Sequence, residues 1–468
     1  MAVLGVVLAV VSAQYGYHRD ELYFRMLPPA WGYTDQPPLT PLLADLSVAL
    51  FGDTPSALRI VPLLCAVASL PLLALVTREV GGGRAAQSLT AWIMAGATLT
   101  LAFGHLLVTA SLDLVVWPAV LLCAIRAVRR AEGWPWLVAG TIVGASSFNK
   151  LLVVVVMAGI AIGLLVCGPR RWLRSGWVWG GVAAAGVLAL PNIVYQATHG
   201  WPQLAMGAAL AANNALEVRL LMWPMLLLLA GPVGAVFWIS AVVAILRRPA
   251  WRDLRFLVVA FAVVVVFVFV GGTQFYYTAG MLSVLVAVGA VPVADWMRRA
   301  ARRRSLLVAG IAVNAVLCAV FALPVLPLPV LAASGLSVAN AATGDQVGWE
   351  TYVAQVDRAA VAADADAIIA TNYGEAGALD RFSTSGLPVH SGHNALAGLG
   401  GPAADARTVV VVGGRDGFVD PYFERCEIVD RLDNGVGVGN EEQGRPVAVC
   451  VDPVAPWDEL WPRFHHLS

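Results

Sequence analysis

Residues 247–270 read RRPAWRDLRFLVVAFAVVVVFVFV. Four arginines (Arg247, Arg248, Arg252 and Arg255) crowd its start, and the fifteen residues that follow carry no polar side chain. An apolar run of this length behind a basic boundary is the pattern of a membrane-spanning helix anchored on its cytoplasmic side. The rest of the chain repeats it. Of 468 residues 59% are hydrophobic and 13% charged, with a mean hydropathy of +0.74. That leaves too little polar surface to cover a soluble globule, so the chain is expected to be an integral membrane protein. Thirty basic residues balance thirty acidic ones. Net charge therefore offers no electrostatic case for nucleic-acid binding.

Working outward, similar runs cover 56–77, 85–107, 112–128, 151–167, 178–194, 220–246, 254–270, 276–296 and 306–326, with shorter ones at 1–13 and 134–148. A span needs roughly 20 residues, and the count comes to about eleven spans. Val11-Ser12-Ala13 before Gln14 also resembles a signal cleavage site, but no basic segment precedes it, so a first span with a late start is the preferred reading. Seventeen arginines fall in alternate connections: Arg78 and Arg84; Arg126, Arg129 and Arg130; Arg170, Arg171 and Arg174; the four around 247–255; and Arg298, Arg299, Arg302, Arg303 and Arg304. By the positive-inside rule these face the cytoplasm. The first loop (14–55), the Asn149 region and the C-terminal part are then extracytoplasmic, in a multi-pass plasma-membrane protein.

After the Pro-rich LPVLPLPV the texture becomes that of a soluble domain. ADAIIAT, TVVVVGG and PVAVCV read as buried strands and TYVAQVDRAAVAADA as a helix. The expected fold is a polytopic α-helical membrane domain over 1–335, including a catalytic first loop, followed by a small extracytoplasmic α/β domain over 336–468. Cys426 and Cys450 either pair there or stand as two buried thiols; no C-x-x-C is present. His390 and His393 have H-x-x-H spacing without a third ligand, so neither a metal nor another cofactor is expected.

Against this background HRDELYFR, residues 18–25, stands out. It places Asp20 and Glu21 among bases and aromatics at the outer boundary of the membrane. A carboxylate in a loop is usually a solvated charge, but a partly desolvated one suits general-base work. Asp113, in TASLDLVVW, lies just inside a span, where an ionisable group is either a hydrogen-bonded structural element or part of a site. Lys150, in SSFNKLLVVVV, is the only lysine beside 29 arginines. Its ammonium either snorkels to the interface or holds a phosphate.

DELYF (20–24), WGYTDQPPL (31–39), ALFG (49–52) and ALRIVP (57–62) together resemble the GT-C superfamily of polyprenyl-phosphate-sugar glycosyltransferases. Within it they are most similar to the dolichyl-phosphate-mannose protein mannosyltransferases and the lipid A aminoarabinose transferases. The similarity is best over the first 200 residues. It implies that Asp20 is the catalytic base with Glu21 beside it, and that Lys150 holds the donor phosphate with help from Arg25. It also implies supporting roles for Asp113 and for Tyr277 in QFYYTAGM. Gln36 stands where many members have lysine, and Asn149 and Leu151 flank Lys150 where the family has Thr and Gly. The tail NYGEAGALDRF…SGHN is similar to C-terminal domains of bacterial members.

The resemblance thus implies transfer of a hexosyl or pentosyl unit, with inversion, from a polyprenyl-phosphate donor to a hydroxyl of a glycan, lipid or protein in the cell envelope. The alternative is a lipid or sugar transporter or flippase. Transporters place ionisable residues near the midplane and show inverted repeats, whereas here the ionisable residues collect at one rim and no repeat is evident.

Overall fold

The computed structural model describes residues 1–467. The chain folds as two compact units, one formed by 1–10, 36–39 and 59–323 and the other by 11–35, 40–58 and 324–468. The expected boundary lay near residue 335, with the first loop in the membrane part. The observed division instead groups most of that loop with the C-terminal segment.

In the first unit six helices are long and apolar enough to cross a bilayer: Pro55–Glu79 (whose first turn lies in the other unit), Thr109–Arg130, Gly176–Thr198, Pro249–Gly271, Phe275–Met297 and Ala301–Ala322. Two further spans are broken, Arg84–Ala95 with Thr98–His105 at 56° and Pro202–Leu228 with Gly231–Arg247 at 90°. The other three of the eleven expected spans form helices of only 10, 13 and 15 residues, Ala2–Val11, Trp134–Ser146 and Val153–Cys167. By length and composition, six helices are able to cross a bilayer, or eight if each broken pair is one span, so the expected count of eleven is not confirmed.

Small residues let these helices close on one another. A Cβ at Gly140 would sit 2.0 Å from the Gly181 carbonyl oxygen, and one at Gly163 2.5 Å from that of Phe256. Gly144 and Gly159 lie one turn away from each on the same face, so both short helices carry a G-x-x-x-G contact stripe. At the basic ends, Glu79 accepts from Arg126 (3.0 Å) and Arg130 (2.8 Å). Arg129 pairs with Asp253 at 3.2 Å and Arg248 with Asp295 at 3.3 Å. The arginines in these pairs belong to two of the five groups, and their partners Glu79, Asp253 and Asp295 draw neighbouring basic connections to the same end of the bundle.

The second unit is built on a five-stranded sheet: β1 (Ala367–Ala370), β2 (Val389–Ser391), β3 (Thr408–Val412), β4 (Phe423–Arg431) and β5 (Pro446–Pro453), in the order β2-β1-β3-β5-β4. β2, β1 and β3 are parallel, while β5 runs antiparallel to both β3 and β4. Ile369, Val409, Val411 and Cys450 pack on Trp457, Leu460, Trp461 and Phe464 of the last helix. Cys426 and Cys450 face each other across β4 and β5 and are joined in a disulfide. In the same unit the first-loop helix Arg19–Met26 packs on the helix Tyr373–Phe382. Gly377 permits this, since a Cβ there would sit 2.6 Å from the Leu22 carbonyl carbon.

The sidedness inferred from arginine placement is open to a direct test. Ala404 is exposed in the segment before β3. In a Cys167→Ser background, which removes the exposed free thiol, Ala404→Cys is expected to react with a membrane-impermeant maleimide in intact cells. Labelling only after permeabilisation would reverse the orientation.

Candidate active site

The two carboxylates of the first loop open the helix Arg19–Met26 but face opposite ways. His18 is its N-cap. The Asp20 N–H donates to His18 Nδ1 at 3.2 Å, and the His18 N–H donates to Glu21 Oε2 at 2.8 Å, a reciprocal cap. Glu21 is fully buried by this arrangement. Asp20 is half-buried, and its Oδ1 accepts from the Tyr373 hydroxyl at 2.9 Å. Among the described residues nothing donates to its Oδ2.

Further along the helix, Tyr23 donates to Asp35 Oδ1 at 2.8 Å and accepts the Ala395 N–H at 3.3 Å. Burial lifts the Asp35 carboxyl to about 6, opposed by that hydrogen bond. Arg25 donates from Nε to Asp53 (3.1 Å) and from Nη1 to Asp380 (2.8 Å). Asp53 also receives the Tyr17 hydroxyl at 2.9 Å and pairs with Arg381 at 3.1 Å.

Behind Asp20 lies a buried acidic group. Arg19 pairs with Glu441, and its guanidinium carbon sits 4.7 Å from the Tyr373 ring centre. Asp345, Glu375 and Glu442 are all buried. Burial, only partly offset by the Arg19 charge, raises the Asp345 carboxyl to about 8. Glu375 rises to about 8, first from burial and then from the like charge of Glu442, which is itself raised by burial. Glu375 Oε2 accepts the N–H groups of Thr371 (3.0 Å) and Asn372 (3.1 Å), while Asn372 Oδ1 caps Glu375 N at 2.9 Å.

The membrane unit holds a second constellation. Asn149 donates from Nδ2 to the Thr109 carbonyl at 2.9 Å, tying the end of one helix to the start of the next-door span. The following residue, Lys150, extends its ammonium over two rings, 4.1 Å from the centre of Tyr277 and 5.4 Å from that of Tyr276. It forms no salt bridge among the described residues, although Asp113 is within electrostatic reach. Asp113, Tyr276, Tyr277 and Trp117 line one cleft of about 340 Å³, counting the part open to solvent. The Lys150 ammonium lies against the faces of Tyr276 and Tyr277, two of the residues that line this cleft.

With this geometry in view, three comparisons bear on the chain. Residues 35–195, about a third of it, match the sequence model of the family described as dolichyl-phosphate-mannose-protein mannosyltransferase. The fold matches ArnT from Cupriavidus metallidurans in the apo state, with a TM-score of 0.62 at 13% identity over 96% of each chain. The same protein bound to undecaprenyl phosphate matches with a TM-score of 0.62 at 14% identity, again over 96% of each chain. No curated protein matches in sequence. The fold shared with ArnT is a multi-pass helical bundle with a small C-terminal sheet domain.

Of the expected site residues, Asp20 and Glu21 share a helix start, and Asp113, Lys150 and Tyr277 share a neighbourhood. Arg25, expected at the donor phosphate, instead has its guanidinium engaged by Asp53 and Asp380. Gln36 is buried with no partner for its amide nitrogen among the described residues. Tyr373, Asp53 and Asp35 were not singled out from the sequence. The N-x-x-E pattern of Asn372 and Glu375 marks a helix start, but nothing in one sequence shows that Tyr373 reaches Asp20.

The acidic group sets a pH dependence. Asp345 and Glu375 hold protons in the folded state up to about 8, whereas unfolded carboxyls ionise near 4. Between those values the folded state binds more protons, so stability is greatest at the acid end and is lost as pH rises through about 8. The slope is at most about 1.4 kcal/mol per group per pH unit. Thermal unfolding of the full-length protein is expected to show a higher midpoint at pH 5.5 than at pH 8. Glu375→Gln, which keeps the cap, should flatten that difference.

Proposed function

We propose that the chain is an inverting glycosyltransferase that moves a sugar from a polyprenyl phosphate to an acceptor hydroxyl on the extracytoplasmic face. The observation that carries this reading is the unpaired ammonium of Lys150 over Tyr276 and Tyr277 in a GT-C fold. ArnT, which shares that fold, has been seen with undecaprenyl phosphate bound, and an ammonium so held is suited to the phosphate of such a lipid. The disulfide fits an oxidising compartment. Nucleotide sugars remain in the cytoplasm, so an enzyme working outside needs a lipid-borne donor.

In the step proposed, Asp20 Oδ2 accepts the proton of the acceptor hydroxyl as its oxygen bonds to the anomeric carbon from the face opposite the phosphate. The bond from that carbon to the phosphate oxygen breaks, and its electron pair leaves with the polyprenyl phosphate. Lys150 steadies the charge on that leaving group. Asp113 orients the ammonium, and Tyr277 with Tyr276 keeps water from its underside. Glu21 holds the helix start from which Asp20 projects, while Arg25 braces the loop through Asp53 and Asp380. The sugar is a hexosyl or pentosyl unit and the acceptor a glycan, lipid or protein.

Asp20→Asn is expected to leave folding intact and to lower kcat by about 10²- to 10⁴-fold, the usual effect of removing a general base. Transfer from a radiolabelled polyprenyl-phosphate sugar measures it, and near-normal turnover would move the base elsewhere. Lys150→Met keeps the apolar stem and removes the charge. Loss of a charge-assisted bond worth roughly 1.5–3 kcal/mol should weaken apparent donor affinity about tenfold or more in nanodiscs. Unchanged donor KM and kcat would reduce Lys150 to an interfacial anchor.

A further inference from the structure

The half-buried Asp20 has only one partnered oxygen, and that partner comes from a segment 353 residues later in the chain. From this geometry we propose that Tyr373 is a positioning residue for the transfer reaction: its hydroxyl fixes Asp20 Oδ1, so that Oδ2 alone is presented to the acceptor. The C-terminal domain thereby completes the base. This rests on the assignment of Asp20 as the base.

Tyr373 is held as such a role demands. It is the first residue of the helix Tyr373–Phe382, with Asn372 as its N-cap. Its ring packs, tilted, against Tyr23, three residues beyond Asp20 on the first-loop helix (centres 4.8 Å apart), and against His393 (4.9 Å). The Arg19 guanidinium carbon lies 4.7 Å from the ring centre. The Tyr373 N–H donates to His393 Nδ1 at 3.2 Å. Ring and backbone are thus fixed before the hydroxyl is considered, and the hydroxyl is left with one direction in which to donate. Burial, followed by Asp20 itself and against the pull of Arg19, holds the phenol well above its ordinary pKa. It therefore stays protonated and remains a donor. A carboxylate with one oxygen tied loses its freedom to rotate, and a base oriented in advance is worth more in the transition state than one that must be ordered there.

Tyr373→Phe removes the hydroxyl and keeps the ring contacts. In full-length protein reconstituted in nanodiscs it is expected to lower kcat about tenfold, with donor KM and thermal midpoint unchanged. The same substitution in an Asp20→Asn background, read by end-point product after long incubation, should add nothing, because Tyr373 acts only through the base that Asp20→Asn has already removed. Wild-type kcat for Tyr373→Phe beside an inactive Asp20→Asn overturns the positioning role and leaves the base assignment standing. An equal loss in both backgrounds also overturns it, since Tyr373 would then act through the fold rather than through Asp20. Normal turnover of Asp20→Asn removes the base assignment and this inference together.

Discussion

A backbone carbonyl or N–H left open in hydrocarbon is costly by several kcal/mol, and the membrane unit contains two broken spans that create such groups. Both breaks are closed by one side chain. Asn314, buried in the helix Ala301–Ala322, accepts the Val233 N–H at 2.9 Å and directs its amide nitrogen to the carbonyls of Ala230 and Gly96, each at 3.4 Å. Gly231 allows this approach, because a Cβ there would meet Asn314 Oδ1 at 2.3 Å. With the bends held, the G-x-x-x-G stripes set the separations of the neighbouring helices.

The second unit solves a different problem, that of burying charge beside water. Asp53 collects Tyr17, Arg25 and Arg381, and Arg19 stands among Asp345, Glu375, Glu441 and Glu442. Each buried group either has a counter-charge or remains protonated, as burial of unpaired charge requires. Asp20 lies at the edge of this network, half-buried, with Oδ1 tied to Tyr373. The acidic group that sets the pH dependence of stability is thus the framework that lies behind Asp20.

Much of the fold was legible because its signals are periodic or compositional. Apolar runs located the spans, arginine placement predicted which loops share an end, and the runs ADAIIAT, TVVVVGG and PVAVCV correspond to β1, β3 and β5. β2 is only three residues long. β4 is an edge strand, exposed along FERCEIVDR, so neither shows the run of buried side chains by which a strand is recognised. Asp20 and Lys150 drew attention for opposite reasons, an acidic pair out of place and a lysine unlike every other basic residue. Tyr373 did not, since its significance lies in a contact across the chain. The partners of Arg25, Asp53 and Asp380, were equally illegible, because a cation in a loop shows in sequence neither what it pairs with nor where it points.

The use of one lysine among 29 arginines bears on turnover. Under the proposed reading the product lipid phosphate has to leave Lys150 at the end of every cycle. An arginine would offer a planar fork that binds phosphate at two points, whereas an ammonium is a compact charge with a strong claim on water. The first favours retention and the second exchange. Tyr277 and Tyr276 compensate for the weaker grip by lying against the cation on one side, so that an incoming phosphate meets it only on the other. Arginine forms the braces at Glu79, Asp53 and Asp253, and on the proposed reading lysine stands where a charge has to be taken up and released.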